Sequence, residues 1–171
     1  LLSEKGAEIG VIVLEPVAGN MGLIPPASGF LQGLRDLCDQ NGSLLVIDEV
    51  KSGFRVAAGG AQALYGIYAD LTTYAKAMGN GYPVVAFGGR SEVMDVVGSH
   101  RGGVVPGGTY TANLVALSAA HATLKILTET EALKTIDRVG EGIRALLGRV
   151  FSAAGIEHAF VRRAGLRLVD R

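Results

Sequence analysis

The chain of 171 residues carries 16 Lys and Arg against 16 Asp and Glu, so it has no net charge to hold nucleic acid or an anionic membrane surface. Hydrophobic residues make up 49%, charged residues only 19%, and Gly is abundant at 25 residues, which excludes a disordered chain and provides for a large core. The one Cys, Cys38, cannot build a disulfide framework, which points to a reducing, cytoplasmic setting. The longest stretch without Asp, Glu, Lys or Arg, 102–124, is broken by Pro106, several Gly, Asn113 and His121, so no membrane-spanning helix is expected. The sequence opens on Leu1 and closes at Arg171 inside a strand-like pattern, and reads as an internal piece of a longer protein.

In chain order, 9–14 is a short apolar run of the kind that forms a strand covered on both faces. Pro25, Pro26 and Ser28 then announce a helix. Phe30, Leu31, Leu34, Leu37 and Cys38 recur at helical spacing, and Gly42 is placed to cap the C-terminus. A second buried strand, 44–47, ends on Asp48 and Glu49, completing a βαβ unit whose crossover should be right-handed. A Gly-rich loop over 53–60 leads to a short helix at 61–65, then to strands at 71–74 and 84–87. Too few residues separate these last two for a parallel crossover, so the fourth strand must run antiparallel to its neighbour or lie elsewhere.

Ser91 caps a short helix reaching about Val97. A long Ala-rich helix is expected over 112–127, its small residues suited to close packing on most faces. From Thr130 a second long helix carries Leu133, Ile136, Ile143, Leu146, Leu147 and Val150 as one apolar stripe. Strands are expected at 158–161 and 166–169. Charge rises and Gly falls near Thr128, which sets a domain boundary there.

Three residues stand where chemistry is done in such folds. Asp48 ends an apolar strand, the edge where open α/β sheets bind ligands, and shares a face with Val50. A carboxylate there can pair with the N–H of a cationic ring while Val packs on its face; the alternative is a strand-end Asp bonded to backbone or water. Lys76 follows the neighbouring strand into the same crevice, where an amine can serve as nucleophile; the alternative is a surface Lys. Thr109, after Gly107 and Gly108, precedes a helix, which suits a phosphate or an ordinary N-cap. His100, His121 and His158 lack the spacing of metal ligands, and Cys38 lies on an apolar stripe. The Gly79, Asn80, Gly81 turn lacks the third glycine of a dinucleotide fingerprint.

Taken together, EPVAGNMG at 15–22, DEV at 48–50 with GFRV at 53–56, GGAQ at 59–62, and DLTT at 70–73 leading to Lys76 resemble class-III pyridoxal-phosphate aminotransferases. The wording is most similar to the glutamate-1-semialdehyde 2,1-aminomutase branch, and order and spacing agree over about 11–127. The resemblance implies an α/β, three-layer fold with a mixed, mostly parallel sheet, the large domain of fold-type I transferases. Residues 1–128 would then be part of that cofactor-binding domain, and 129–171 the start of a smaller α+β C-terminal domain.

The resemblance also assigns roles. Lys76 matches the family lysine that forms a Schiff base with pyridoxal 5'-phosphate, Asp48 the aspartate paired with the pyridinium nitrogen, and Val50 the residue against the ring. Thr109 matches the threonine that binds the cofactor phosphate from the neighbouring subunit, which implies a homodimer. Asn20 stands near the substrate, where many members that use 2-oxoglutarate have Glu, and this favours the aminomutase side. Lys51 and Ser52, and the residues around Thr109, differ from the commonest aminomutase wording. The implied activity is amino-group transfer on a small amino acid or semialdehyde. An ω- or β-amino-acid transaminase using an external keto acid is the enzymatic alternative, and an inactive fragment acting as an interaction module is the other. Much of the family chain lies outside this sequence, so the 171 residues alone are expected to fold poorly and to be inactive.

Overall fold

The computed structural model describes residues 2–98 and 101–160. Four strands form one sheet in the order β1 (Val11–Leu14), β2 (Leu44–Asp48), β3 (Leu71–Tyr74) and β4 (Ala86–Gly89). The helices are α1 (Leu2–Lys5), α2 (Phe30–Asn41), α3 (Gly60–Tyr65), α4 (Ser91–Met94), α5 (Leu114–Glu129) and α6 (Ala132–Ala153). β1, β2 and β3 are parallel, with Leu14 beside Ile47 and Asp48 beside Thr73; β4 is antiparallel, with Tyr74 beside Ala86. The sheet is therefore mixed and mostly parallel, as the short connection before β4 demands.

The core lies on one face of this sheet. Leu31 and Cys38 of α2 pack with Leu45, Ile47 and Ile67, and Ile12, Leu14, Leu34 and Tyr65 close around them. Each fully buried aliphatic side chain there stabilises the fold by about 1.5–3 kcal/mol. α2 follows the announcing Ser28 closely, with Gly29 in the left-handed region at its N-cap, and stops where expected: Gly42, at φ +69°, returns its N–H to the Cys38 carbonyl. Asp70 stitches the N-terminal ends of β2 and β3. It accepts from Leu45 N at 2.7 Å, Arg35 at 2.7 Å and Arg90 at 2.9 Å.

Several expectations shift. β4 lies two residues later than its apolar run. Turns closed by Tyr82 N to Gly79 O and Val84 N to Tyr82 O occupy the earlier residues. The later ones are admitted because Gly89 carries no side chain; a Cβ there would fall 1.9 Å from the Asp70 carbonyl oxygen. β1 is not covered on both faces: Val11 and Val13, on one face, are 49% and 63% exposed, because no described helix packs over them. α4 is shorter than the helix expected to reach Val97, and Val97 instead bridges to Val104. The packing expected around the Ala-rich helix reduces to Ala116 and Ala120, because among the described residues α5 meets mainly α6 and the turn after β3. The α6 stripe, Ile136, Ile143, Leu146, Leu147 and Val150, faces solvent for the same want of a partner among the described residues. Residues 158–160 form no strand; the remainder of that expected strand and the one at 166–169 lie outside the described residues.

Candidate functional site

β2 and β3 deliver their C-terminal ends side by side. The register that sets Asp48 beside Thr73 puts Lys76 only three residues beyond, at the same sheet edge. Asp48 is half-buried; its Oδ1 accepts from Val50 N at 2.8 Å, the backbone bond that a strand-end Asp was expected to make. That leaves Oδ2 with no partner among the described residues. Val50 is half-buried in the turn that follows.

Lys76 opens a short 3-10 turn, Lys76–Met78, and its carbonyl accepts from Gly79 N and Asn80 N. Its φ of +43° lies in the left-handed region, a conformation that costs a non-Gly residue on the order of 1–3 kcal/mol and clusters at functional sites. The side chain is exposed rather than buried, and among the described residues its amine makes no hydrogen bond or ion pair. It lines a cleft of about 730 Å³ together with Thr109, Tyr110, Tyr82 and Phe87.

Thr109 thus shares a cleft with Lys76 of its own chain. It is exposed and lies in a turn, not at a helix N-cap. The cap is Asn113, whose side chain accepts from Ala116 N at 2.9 Å. Asp48, Val50 and Asn20 do not line this cleft; Asp48 is tied to Lys76 through strand register alone. Asn20 is exposed in the 3-10 turn Gly19–Met21, and its amide oxygen accepts from Lys51 Nζ, which links that turn to the segment after Val50.

One residue escaped the sequence reading. Glu49, given no role there, is 1% exposed and accepts from Ala61 N, Gln62 N and Ser52 Oγ. The signal for it was Gly60, whose missing side chain leaves room for a carboxylate at the start of α3.

The family model for class-III aminotransferases matches residues 1–169. The chain belongs to the class-III aminotransferase family. Among similar class-III proteins, a glutamate-1-semialdehyde 2,1-aminomutase of Desulforamulus reducens is 45% identical over 98% of this chain and 38% of its own length. One of Chlorobium luteolum is 51% identical over 85% of this chain and 33% of its own. Among solved structures, an omega-transaminase from Sphaerobacter thermophilus matches 95% of this chain and 37% of its own at 32% identity and a TM-score of 0.85. A transaminase with PLP bound matches 91% and 37% at 33% identity and a TM-score of 0.83. The mixed sheet with its helices is accordingly the fold of class-III, fold-type I enzymes, and the chain spans little more than a third of these relatives' length.

Proposed function

We propose that this chain carries the lysine side of the active site of a pyridoxal-phosphate enzyme that moves an amino group on a small amino acid or semialdehyde, in the manner of glutamate-1-semialdehyde 2,1-aminomutase. One observation carries the reading: parallel β2 and β3 bring to one sheet edge a carboxylate and a strained-backbone lysine that have, among the described residues, a free oxygen and an unpaired amine.

The residues present fit the cofactor. Asp48 Oδ2 is free to accept from a ring N–H, Val50 supplies an apolar surface beside it, and the Lys76 amine is available for an imine. Thr109, exposed beside Tyr110 and Thr111, would offer its hydroxyl to the phosphate of the cofactor held by a partner subunit. When bound, pyridoxal 5'-phosphate supplies an aldehyde for imine formation and a ring that takes up electrons from the substrate carbon.

The chain's own side chains supply the rest. With the cofactor bound, the Lys76 amine would serve as the nucleophile and as the base that takes a proton from the carbon bearing the substrate's amino group. Asp48 would hold the proton on the ring nitrogen, which keeps such a ring able to accept charge. Thr109 acts on the phosphate across a homodimer interface; the exposed apolar residues Leu114, Val115 and Val85 support burial of this edge against another surface. The single free Cys38, buried and unbridged, supports a cytoplasmic setting.

Borohydride reduction of the holoenzyme followed by peptide mapping tests the assignment. Label on Lys76 is the expected result, and label on another lysine, or none, overturns it. A second reading, an ω- or β-amino-acid transaminase, is favoured by the structural likeness to the Sphaerobacter thermophilus omega-transaminase. Dependence on an external keto acid decides between them: an aminomutase turns over without one.

A further inference from the structure

Beyond the residues assigned above, one buried acid stands at the same sheet edge without a role. Glu49 turns to the face of β2 opposite Asp48. Its N–H donates to Thr73 O at 3.0 Å and its carbonyl accepts from Gly53 N at 2.8 Å, so its main chain prolongs the β2–β3 pairing and closes the turn after it. Its carboxylate accepts from Gln62 N at 2.8 Å, Ala61 N at 3.0 Å and Ser52 Oγ. At Gly60, with φ +68°, a Cβ would fall 2.5 Å from the carboxylate, so the residue there must be glycine for the acid to fit.

Gln62 carries the connection onward. Its Nε2 donates to Thr72 Oγ1 at 2.9 Å, and its Oε1 accepts from Ala69 N at 2.9 Å. Thr72 belongs to β3, four residues before Lys76. A continuous polar chain therefore runs from the residue after Asp48, through the start of α3, into the strand that presents Lys76. Burying a carboxylate costs several kcal/mol unless charge-assisted bonds offset it, and a turn that needed only its shape would do as well with a neutral residue.

We infer that Glu49 is a positioning residue: through Ala61, Gln62 and Thr72 it fixes the ends of β2 and β3 relative to each other, so that Asp48 and Lys76 reach the same small ring. This rests on the function proposed above. Neither Glu49 nor Gln62 touches the cofactor in this assignment; both act through the backbone that carries the two residues that do.

The test compares wild type, Glu49→Gln and Gln62→Ala in the holoenzyme. Glu49→Gln keeps the size but turns one acceptor into a donor facing backbone N–H groups. Gln62→Ala cuts the far link and leaves the backbone bonds to Glu49 in place. The dissociation constant of pyridoxal 5'-phosphate is expected to rise about tenfold in Glu49→Gln, the size of one lost hydrogen bond to a buried charge, and to rise less in Gln62→Ala. The visible circular-dichroism band of the bound cofactor should change in both. Hydrogen exchange in the apo-protein should quicken over 46–50 and 72–76 as well as 53–66.

Unchanged cofactor affinity and band, with faster exchange confined to 53–66, would mean that Glu49 merely holds a loop, and would overturn the inference. If Glu49→Gln does not fold, Gln62→Ala decides by the same readouts. If wild type binds the cofactor without label at Lys76, the proposed function fails and takes this inference with it; a labelled wild type with silent variants removes the inference alone.

Discussion

Replacing Asp70 by Ala removes the acceptor that holds Leu45 N, Arg35 and Arg90 together at the N-terminal ends of β2 and β3. The cost follows from the surroundings of each partner. Arg90 is 60% exposed, so its loss amounts to about 0–1 kcal/mol. The Arg35 side chain is only 13% exposed and keeps its 2.7 Å ion pair with the exposed Asp39, so losing the bond to Asp70 costs what one hydrogen bond between charged groups is worth, about 1.5–3 kcal/mol. Stranding the Leu45 N–H costs a further 1–3 kcal/mol or so, but the groups share one site and relax together. The expected loss is about 4 kcal/mol, a large part of a typical stability of about 5–15 kcal/mol.

Urea denaturation of the intact protein, followed by far-ultraviolet circular dichroism, should show the midpoint falling by roughly 2 M for a slope of about 2 kcal/mol/M. Asp70→Asn, which keeps an acceptor for Leu45 N, should lose less. A loss below about 1 kcal/mol for Asp70→Ala would refute the reasoning, because it would mean that water reaches Arg35 freely. The pH dependence has a definite sign. Burial opposes ionisation of Asp70, but the bonds from Leu45 N, Arg35 and Arg90 outweigh it and hold the carboxyl below its ordinary value. Its contribution is therefore complete above the unfolded value of about 3.9 and lost as pH falls through the lower folded value. Wild type should lose stability over that window more steeply than Asp70→Asn.

Asp48→Asn should lower kcat/KM by about 10²–10³-fold, the scale of one preorganised electrostatic contact, with the far-ultraviolet spectrum unchanged; a loss under tenfold would remove Asp48 from the ring nitrogen. Lys76→Ala should abolish turnover and borohydride labelling together, while a variant that keeps turnover would show the amine to be elsewhere. Gly60→Ala forces a side chain at φ +68° against the Glu49 carboxylate and should destabilise by about 1–3 kcal/mol in thermal unfolding, where an unchanged midpoint would contradict the packing described. The isolated 171-residue chain leaves Val11, Val13, Ile143 and Val150 largely in water, so it should bind a hydrophobic dye and show no cofactor-dependent turnover; a monodisperse, active chain would refute this.

The inner strands were legible because apolar runs bounded by turn residues have few other solutions, and the short joint before β4 dictated its direction. Its position was not: Gly88 and Gly89 carry no side-chain pattern, and at Gly89 it is the close approach of the Asp70 carbonyl, just before β3, that admits only a glycine. Asp48 and Lys76 were legible because parallel strands bring like ends together. Whether Thr109 joins one or the other depends on the path of the loop before α5, which spacing does not encode; the cleft unites it with Lys76 and not with Asp48. The helix cap was read at Thr109, although Asn113 directly abuts the apolar run at Leu114 and is the residue whose side chain bonds back. Glu49 looked like a second strand-end charge because its partners are backbone N–H groups 12 and 13 residues away.

The central claim is that Asp48 and Lys76 hold opposite ends of one ring, and a crystal structure of the holoenzyme measures it directly. The account predicts continuous density from Lys76 Nζ to the cofactor and an Asp48 carboxylate oxygen within hydrogen-bond distance of the ring nitrogen. A cofactor attached to another lysine, or a ring nitrogen turned away from Asp48, would contradict it.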